Sequence, residues 1–316
     1  MKRYAGYLTA LKHVSLILLF AAAALVIAHF PFDVDAPLTP RELEAARSYY
    51  EAAYRQPASA PSSATEYETR YLRVARAAAE AFHVEDLVRQ FVERYGLRDK
   101  PILEIGSGRG HLQDLATDYT GLDISPSVAG YYHKKFVLGS ATAMPFADDT
   151  FDAIWSIWVF EHVPNPEQAL REARRVARDQ SVLFLMPAWD CPSWAADGYE
   201  YRPYSDFGLW GKLVKASIPL RRANAFVALT RLPTRLARDL VARSTPTKLR
   251  YRRLKPNYEV YWGPDADAVN AIDRHEMMLW FRSRGDECLN CDGPAGSALT
   301  DLGWTPLVIR VHKGEV

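Results

Sequence analysis

The sequence predicts an α/β protein built on a doubly wound, mostly parallel sheet, and three observations carry that expectation. An apolar run at residues 101–105 breaks into a turn with glycine at 106, 108 and 110, and a second apolar run resumes at 119–122 and ends on Asp123. Two further apolar runs, 151–157 and 181–186, flank a segment whose apolar residues recur at helical spacing. Strands alternating with helices build parallel sheets, because a parallel crossover needs a connection long enough to return across a sheet face. With 316 residues, 48% of them apolar and 24% charged, the chain can bury a large core, which excludes wholesale disorder.

The first unit reads as strand, glycine-rich turn, helix and strand. Glycine there lets the backbone turn sharply and approach a ligand, while Asp123 can accept hydrogen bonds from a ribose diol. The spacing departs from the dinucleotide fingerprint, since the third glycine comes one residue early and His111 stands where Gly or Ala belongs. A nicotinamide-dependent dehydrogenase is therefore the less favoured alternative. The string E-I-G-S-G-R-G at 104–110 resembles the first motif of class I S-adenosylmethionine (SAM)-dependent methyltransferases. Residues 137–146 and 148–163 resemble the stretch that joins the third strand to the fourth in small-molecule methyltransferases with a type 11-like domain.

The resemblance covers residues 101–188 closely. It implies a Rossmann-like seven-stranded sheet with a last antiparallel strand, and SAM as cofactor. It also implies cofactor contacts from Glu104, Gly106, Ser107, Gly108, Gly110, Asp123, Ile124, Ser140, Ala141 and Met144, with Ser156 and Trp158 lining the methionine side. One position departs from the family: Ser140 stands where Asp is common. Serine accepts the same bond through a neutral oxygen, so affinity would fall by ~1 kcal/mol without loss of binding.

The chemistry implied is in-line displacement at a methyl carbon. Because the sulfonium is already a good leaving group, alignment and exclusion of water dominate. A hydroxyl acceptor would also need a base, and Glu161 and His162 at the end of the fourth strand are the candidates, with Asp190 a weaker third. A structural histidine bonded to a loop carbonyl and a glutamate in a salt bridge are the competing readings. A catalytically silent, membrane-tethered binding module of the same fold is the alternative function, and Ser140 is its one local hint.

Composition along the chain suggests five parts: an anchor at 1–36, a helical extension or lid at 37–96, a SAM-binding core at 97–189, a basic aromatic-rich insertion at 190–262, and a C-terminal helix and strands at 263–316. Residues 14–30 are almost wholly apolar and as a helix would extend about 25 Å, at the short end of what crosses a bilayer. A single N-terminal anchor is expected, with a cleaved signal peptide as the competing reading. Lys2, Arg3 and Lys12 before it and Asp33 and Asp35 after it favour an N-terminus inside. SAM supply favours a cytoplasmic catalytic domain, and a segment lying in the interface would reconcile the two.

Thr39 and Glu42 form a capping box for a helix reaching about Gln56, and residues 66–95 read as one or two helices that close over the cofactor or simply pack on the sheet. Asn165 followed by Pro166 starts a helix. Residues 212–255 hold thirteen Lys and Arg against the single acid Asp239, so helices there would present cationic faces to anionic lipid. Nucleic acid is not expected, as no recognition motif accompanies the charge. Asp265 and Asp267 would cap a helix through residues 271–284, and residues 286–290 and 307–312 would supply the last strands. The lone C-x-x-C at Cys288 and Cys291 reads as reduced cysteines at a strand end. The methyl acceptor is expected to be a small or lipid-linked molecule.

Overall fold

The computed structural model describes residues 7, 11–19, 39–55, 70–242, 246–291 and 304–314. Helix α1 (Pro40–Tyr54) opens at the expected capping box, where Thr39 Oγ1 accepts the Glu42 N–H and the Glu42 carboxylate accepts the Thr39 N–H. Two helices follow, α2 (Arg70–Ala81) and α3 (Val84–Arg94), separated by Phe82 and a left-handed His83.

The central sheet contains β1 (Ile102–Ile105), β2 (Tyr119–Asp123), β3 (Lys135–Leu138), β4 (Phe151–Ile157), β5 (Ala177–Met186), β8 (Glu287–Cys288) and β9 (Leu307–Arg310). Its seven strands run in the order β3-β2-β1-β4-β5-β9-β8, with the first five parallel and β9 antiparallel to both β5 and β8. The alternation of side chains along each strand divides the core into two. Ile102, Trp155, Phe184 and Val308 face α3, whereas Leu103, Ile154, Leu183 and Ile309 face α4 (Pro166–Val176) and α7 (Arg274–Arg282). Helix α4 begins at its expected cap, Asn165 Oδ1 accepting the Gln168 N–H at 3.1 Å.

Four sequence expectations change. Between β1 and β2 there is no α-helix, only the short 3₁₀ turn Gln113–Leu115, because residues 111–118 are too few to cross the sheet face as a full helix. The helix expected to start at Asp265 begins instead at Arg274, capped by Asp273, because β7 (Asn270–Ile272) pairs antiparallel with β6 (Tyr251–Arg253). Buried Asn270 fixes that strand by donating to the Phe160 and Val163 carbonyls. Cys288 and Cys291 are joined in a disulfide, since the turn after β8 brings their Cα atoms to 5.6 Å; Cys191 is free and buried.

The fourth change concerns the basic insertion, which forms α5 (Leu209–Arg222) and α6 (Asn224–Val241). Three arginines of α6 turn inward. Arg231, Arg235 and Arg238 pair with Asp190, Asp273 and Glu276, while Leu229, Leu236 and Leu240 on the opposite side of α6 are exposed. Acids distant in sequence thus neutralise three of the charges that a local reading assigned to a cationic face. No helix among the described residues is long and apolar enough to cross a membrane. Residues 11–19 are helical and exposed, and the rest of the expected anchor, apart from residue 7, lies outside the described residues.

Candidate active site

At the carboxyl end of β1 the chain turns through three left-handed glycines, with φ of 69° at Gly106, 49° at Gly108 and 69° at Gly110. A Cβ at Gly106 would stand 2.2 Å from Val159 Cγ2, so both the backbone angle and the space require glycine there. The Gly106 and Ser107 N–H groups donate to the Leu122 carbonyl, and the Gly108 N–H donates to Asp123 Oδ2 at 2.9 Å. Tyr132 clamps the loop from outside, donating to Ser107 Oγ or the Gly108 carbonyl.

A cavity of about 700 Å³ lies against this loop. Glu104, Gly106, Ser107, Gly108 and Trp158 line its floor; Leu72, Ala79 and His83 of the α2–α3 hairpin form its roof. The volume falls within the roughly 300–1,000 Å³ of small-ligand pockets. Trp158 is held with φ of 53°, a left-handed conformation costly for a bulky residue, by its N–H bond to the Met186 carbonyl. Glu104 is the ionisable group on the floor. Burial pushes its pKa up to about 8, against the hydrogen bond it accepts from Tyr119. A cation in the cavity would restore the carboxylate.

The other expected cofactor residues lie apart from this cavity. Burial raises the pKa of Asp123, whose two oxygens accept the Gly108 and Ser125 N–H groups, leaving lone pairs for a further donor. Ser140 Oγ accepts the Thr142 N–H, and the Met144 N–H donates to Glu172. Ile124 is exposed, while Ala141 and Met144 are buried beside the core. Ser156 does not face the cavity: its hydroxyl is buried in the sheet and donates to the Ile105 carbonyl. Helix α1 covers this half, with Tyr54 Oη 3.2 Å from where a Gly108 Cβ would sit and the Tyr54 carbonyl accepting from Arg109.

His162 and Glu161 lie past the end of β4, in the short turn Phe160–His162. Glu161 is fully buried and accepts the Ala188 N–H at 3.1 Å; burial pushes its pKa up to about 7 despite the neighbouring His162. His162 stands between two carboxylates, with Nε2 3.7 Å from Glu161 and Nδ1 3.6 Å from Asp267. Burial opposes its charge, but Asp267, Glu161 and Asp265 outweigh it and the imidazole pKa is raised. Glu161 Oε2 and Asp267 Oδ1 are buried without a hydrogen-bond partner among the described residues. Tyr50 covers the pair, donating to Asp267 Oδ2 at 2.9 Å with its ring centroid 5.8 Å from that of His162.

Sequence reasoning missed Tyr50, Asp267 and Tyr54. Tyr50 and Tyr54 are one helical turn apart on α1, which could have marked a shared face. Asp267 was read as a helix cap, and its role depends on contacts 217 and 105 positions away.

Residues 103–185 match a family model described as a methyltransferase domain. An uncharacterized methyltransferase of Mycobacterium marinum is 36% identical over 97 residues, covering 27% of this chain and 38% of that protein. The demethylmenaquinone methyltransferase of Renibacterium salmoninarum is 31% identical over 93 residues, covering 27% of this chain and 39% of its own length. This chain thus spans less than two-fifths of the length of either relative. Among solved structures, a SAM-dependent methyltransferase from Aquifex aeolicus aligns at 18% identity and a TM-score of 0.29, covering 33% of this chain and 64% of that one.

Proposed function

Because residues 103–185 form a class I SAM-dependent methyltransferase domain, we propose that the whole chain is a SAM-dependent methyltransferase acting on a small or lipid-linked acceptor by in-line displacement. The observation that carries this reading is the convergence of the glycine turn, Glu104 and Trp158 on one roofed cavity. The residues fit the methionine end of the cofactor. The glycine turn brings its backbone to the cavity, a buried carboxyl awaits an ammonium group, and an aromatic ring lies where a sulfonium would be attracted.

Bound SAM would supply an electrophilic methyl group on a sulfonium whose departure leaves a neutral thioether. Glu104 would hold the amino acid end, Asp123 would offer its free lone pairs to the ribose, and the α2–α3 roof would exclude water. Ser140, Ala141, Met144 and Ile124 would border the adenine once α1 yields that half of the site. For an acceptor that must lose a proton, His162 is the group to take it, and Glu161 and Asp267 would stabilise the resulting imidazolium. Glu161 is too enclosed to reach the acceptor and would serve as a positioning residue.

Membrane association belongs to the same proposal. Leu209, Trp210, Leu213 and Leu220 of α5 are exposed beside the leucines of α6, an outward apolar face suited to a bilayer interface. An N-terminal anchor at residues 14–30 would hold that face at the membrane.

Calorimetric titration of SAM into the full chain, with NADH as control, tests the reading. Saturable SAM binding without NADH binding is expected. A folded protein that binds NADH alone would point to a dehydrogenase, and one that binds neither would point to a silent module.

A further inference from the structure

A second cavity, of about 500 Å³, opens between α5, α6 and the segment after β5. We propose that it is an oxyanion-binding subsite for the methyl acceptor, in which Arg221 and Arg252 hold a phosphate or carboxylate group beside Trp194; this rests on the methyltransferase reading of the neighbouring cavity.

The charges lining it do not cancel. Each acid there already has a polar partner: Asp190 pairs with Arg231 at 2.6 Å, Asp273 with Arg235 at 2.9 Å, Glu276 with Arg238 at 2.7 Å, and Asp265 interacts with His162 and Cys191. Arg222 is taken by Glu200 at 2.7 Å. Arg221 and Arg252 are left without a carboxylate among the described residues. Arg221 lies over the Trp194 ring at 5.2 Å. Arg252 spends one Nη2 donor on the Cys191 carbonyl at 3.4 Å, and its buried Nε has no partner. Burial lowers the Arg252 pKa; Asp190, whose salt bridge goes to Arg231, opposes that shift from nearby, and Arg221 and Arg231 add to it. A planar fork of unused donors beside a second cation is suited to bidentate capture of an oxyanion.

Its location suits an acceptor. Phe82 touches one residue of each cavity, its ring 6.1 Å from Trp158 of the first and 5.5 Å from Trp304 of the second. Asp265 lines the second cavity, and its charge also acts on His162. Phe226 and Val227 give the same cavity an apolar side, and the exposed leucines of α5 and α6 lie on the outside of its walls. A membrane lipid headgroup and a soluble anionic metabolite would use the same chemistry.

The experiment titrates inorganic phosphate, benzoate, and phosphatidylcholine vesicles with and without phosphatidic acid into the full chain at constant ionic strength, following indole fluorescence and heat. The same probes are applied to Arg252→Gln, to the exposed and structurally less demanding Arg221→Gln, and to a Lys212→Gln control outside the cavity. Binding to wild type that weakens about tenfold or more in either arginine variant, but not in the control, is expected. If only the phosphatidic acid vesicles show this, the source is a lipid headgroup; if phosphate or benzoate does, it is a soluble anion. No binding by any probe, or equal binding by all variants, overturns the inference. SAM titrated into the same proteins should bind unchanged. Failure of SAM to bind wild type while the anion binds would reject the cofactor reading and leave an anion site alone.

Discussion

With Glu104 in the proposed cofactor site, binding should be a proton-linked event. With its carboxyl buried and its pKa pushed up to about 8, the group is roughly nine-tenths protonated at pH 7, whereas a bound ammonium or sulfonium would return it toward the ordinary carboxylate value. Binding at pH 7 should then release about 0.9 proton, and affinity should rise about fifty-fold between pH 6 and pH 8. Calorimetry in buffers of differing ionisation enthalpy measures the released proton directly. Glu104→Gln should lose both affinity and pH dependence. The same shift has a stability consequence in the ligand-free protein. Because the folded pKa lies above the unfolded value of about 4.5, the contribution of Glu104 is greatest below that pH and is lost as pH rises to about 8. At pH 7 the loss is on the order of 3 kcal/mol, so Glu104→Gln should raise the thermal midpoint there while leaving it nearly unchanged at pH 4.5. A wild-type affinity that stays flat from pH 6 to 8, with no buffer-dependent heat, would refute the reasoning.

Gly106→Ala meets both a left-handed backbone and a Cβ contact of 2.2 Å with Val159; it should cost about 1–3 kcal/mol in thermal denaturation and abolish SAM binding by calorimetry. Asp267→Asn removes a charge that raises the His162 pKa, so the His162 ring resonance should titrate at lower pH by NMR, and the acid limb of a methyl-transfer rate profile should move with it; an unmoved resonance would contradict the pairing. Asp286 is buried and receives the Arg174 guanidinium at 2.9 Å. Asp286→Ala should lower unfolding free energy by on the order of 3 kcal/mol in urea, because it strands that cation between α4 and the sheet edge.

Local chemistry was legible in the sequence. The capping box at Thr39 and Glu42, the Asn165 cap and the glycine turn each depend on residues within a few positions of one another, so sequence spacing determines them. Alternation along 102–105 and 182–186 likewise follows from the two-residue period of a strand facing helices on both sides. Length limits had to correct the crossover after β1, and pairing with residues 251–253 overrode the helix that Asp265 and Asp267 had suggested. What the tertiary structure alone decided is where charge and polar contacts go. Arg235 and Arg238 reach acids 38 positions away, Tyr50 reaches Asp267 across 217, and Arg221 and Arg252 are left facing a cavity. A sequence gives the number of charges in a segment, but a charge is neutralised by whatever the fold brings within a few ångströms, and that proximity exists only after the sheet and its helices have packed.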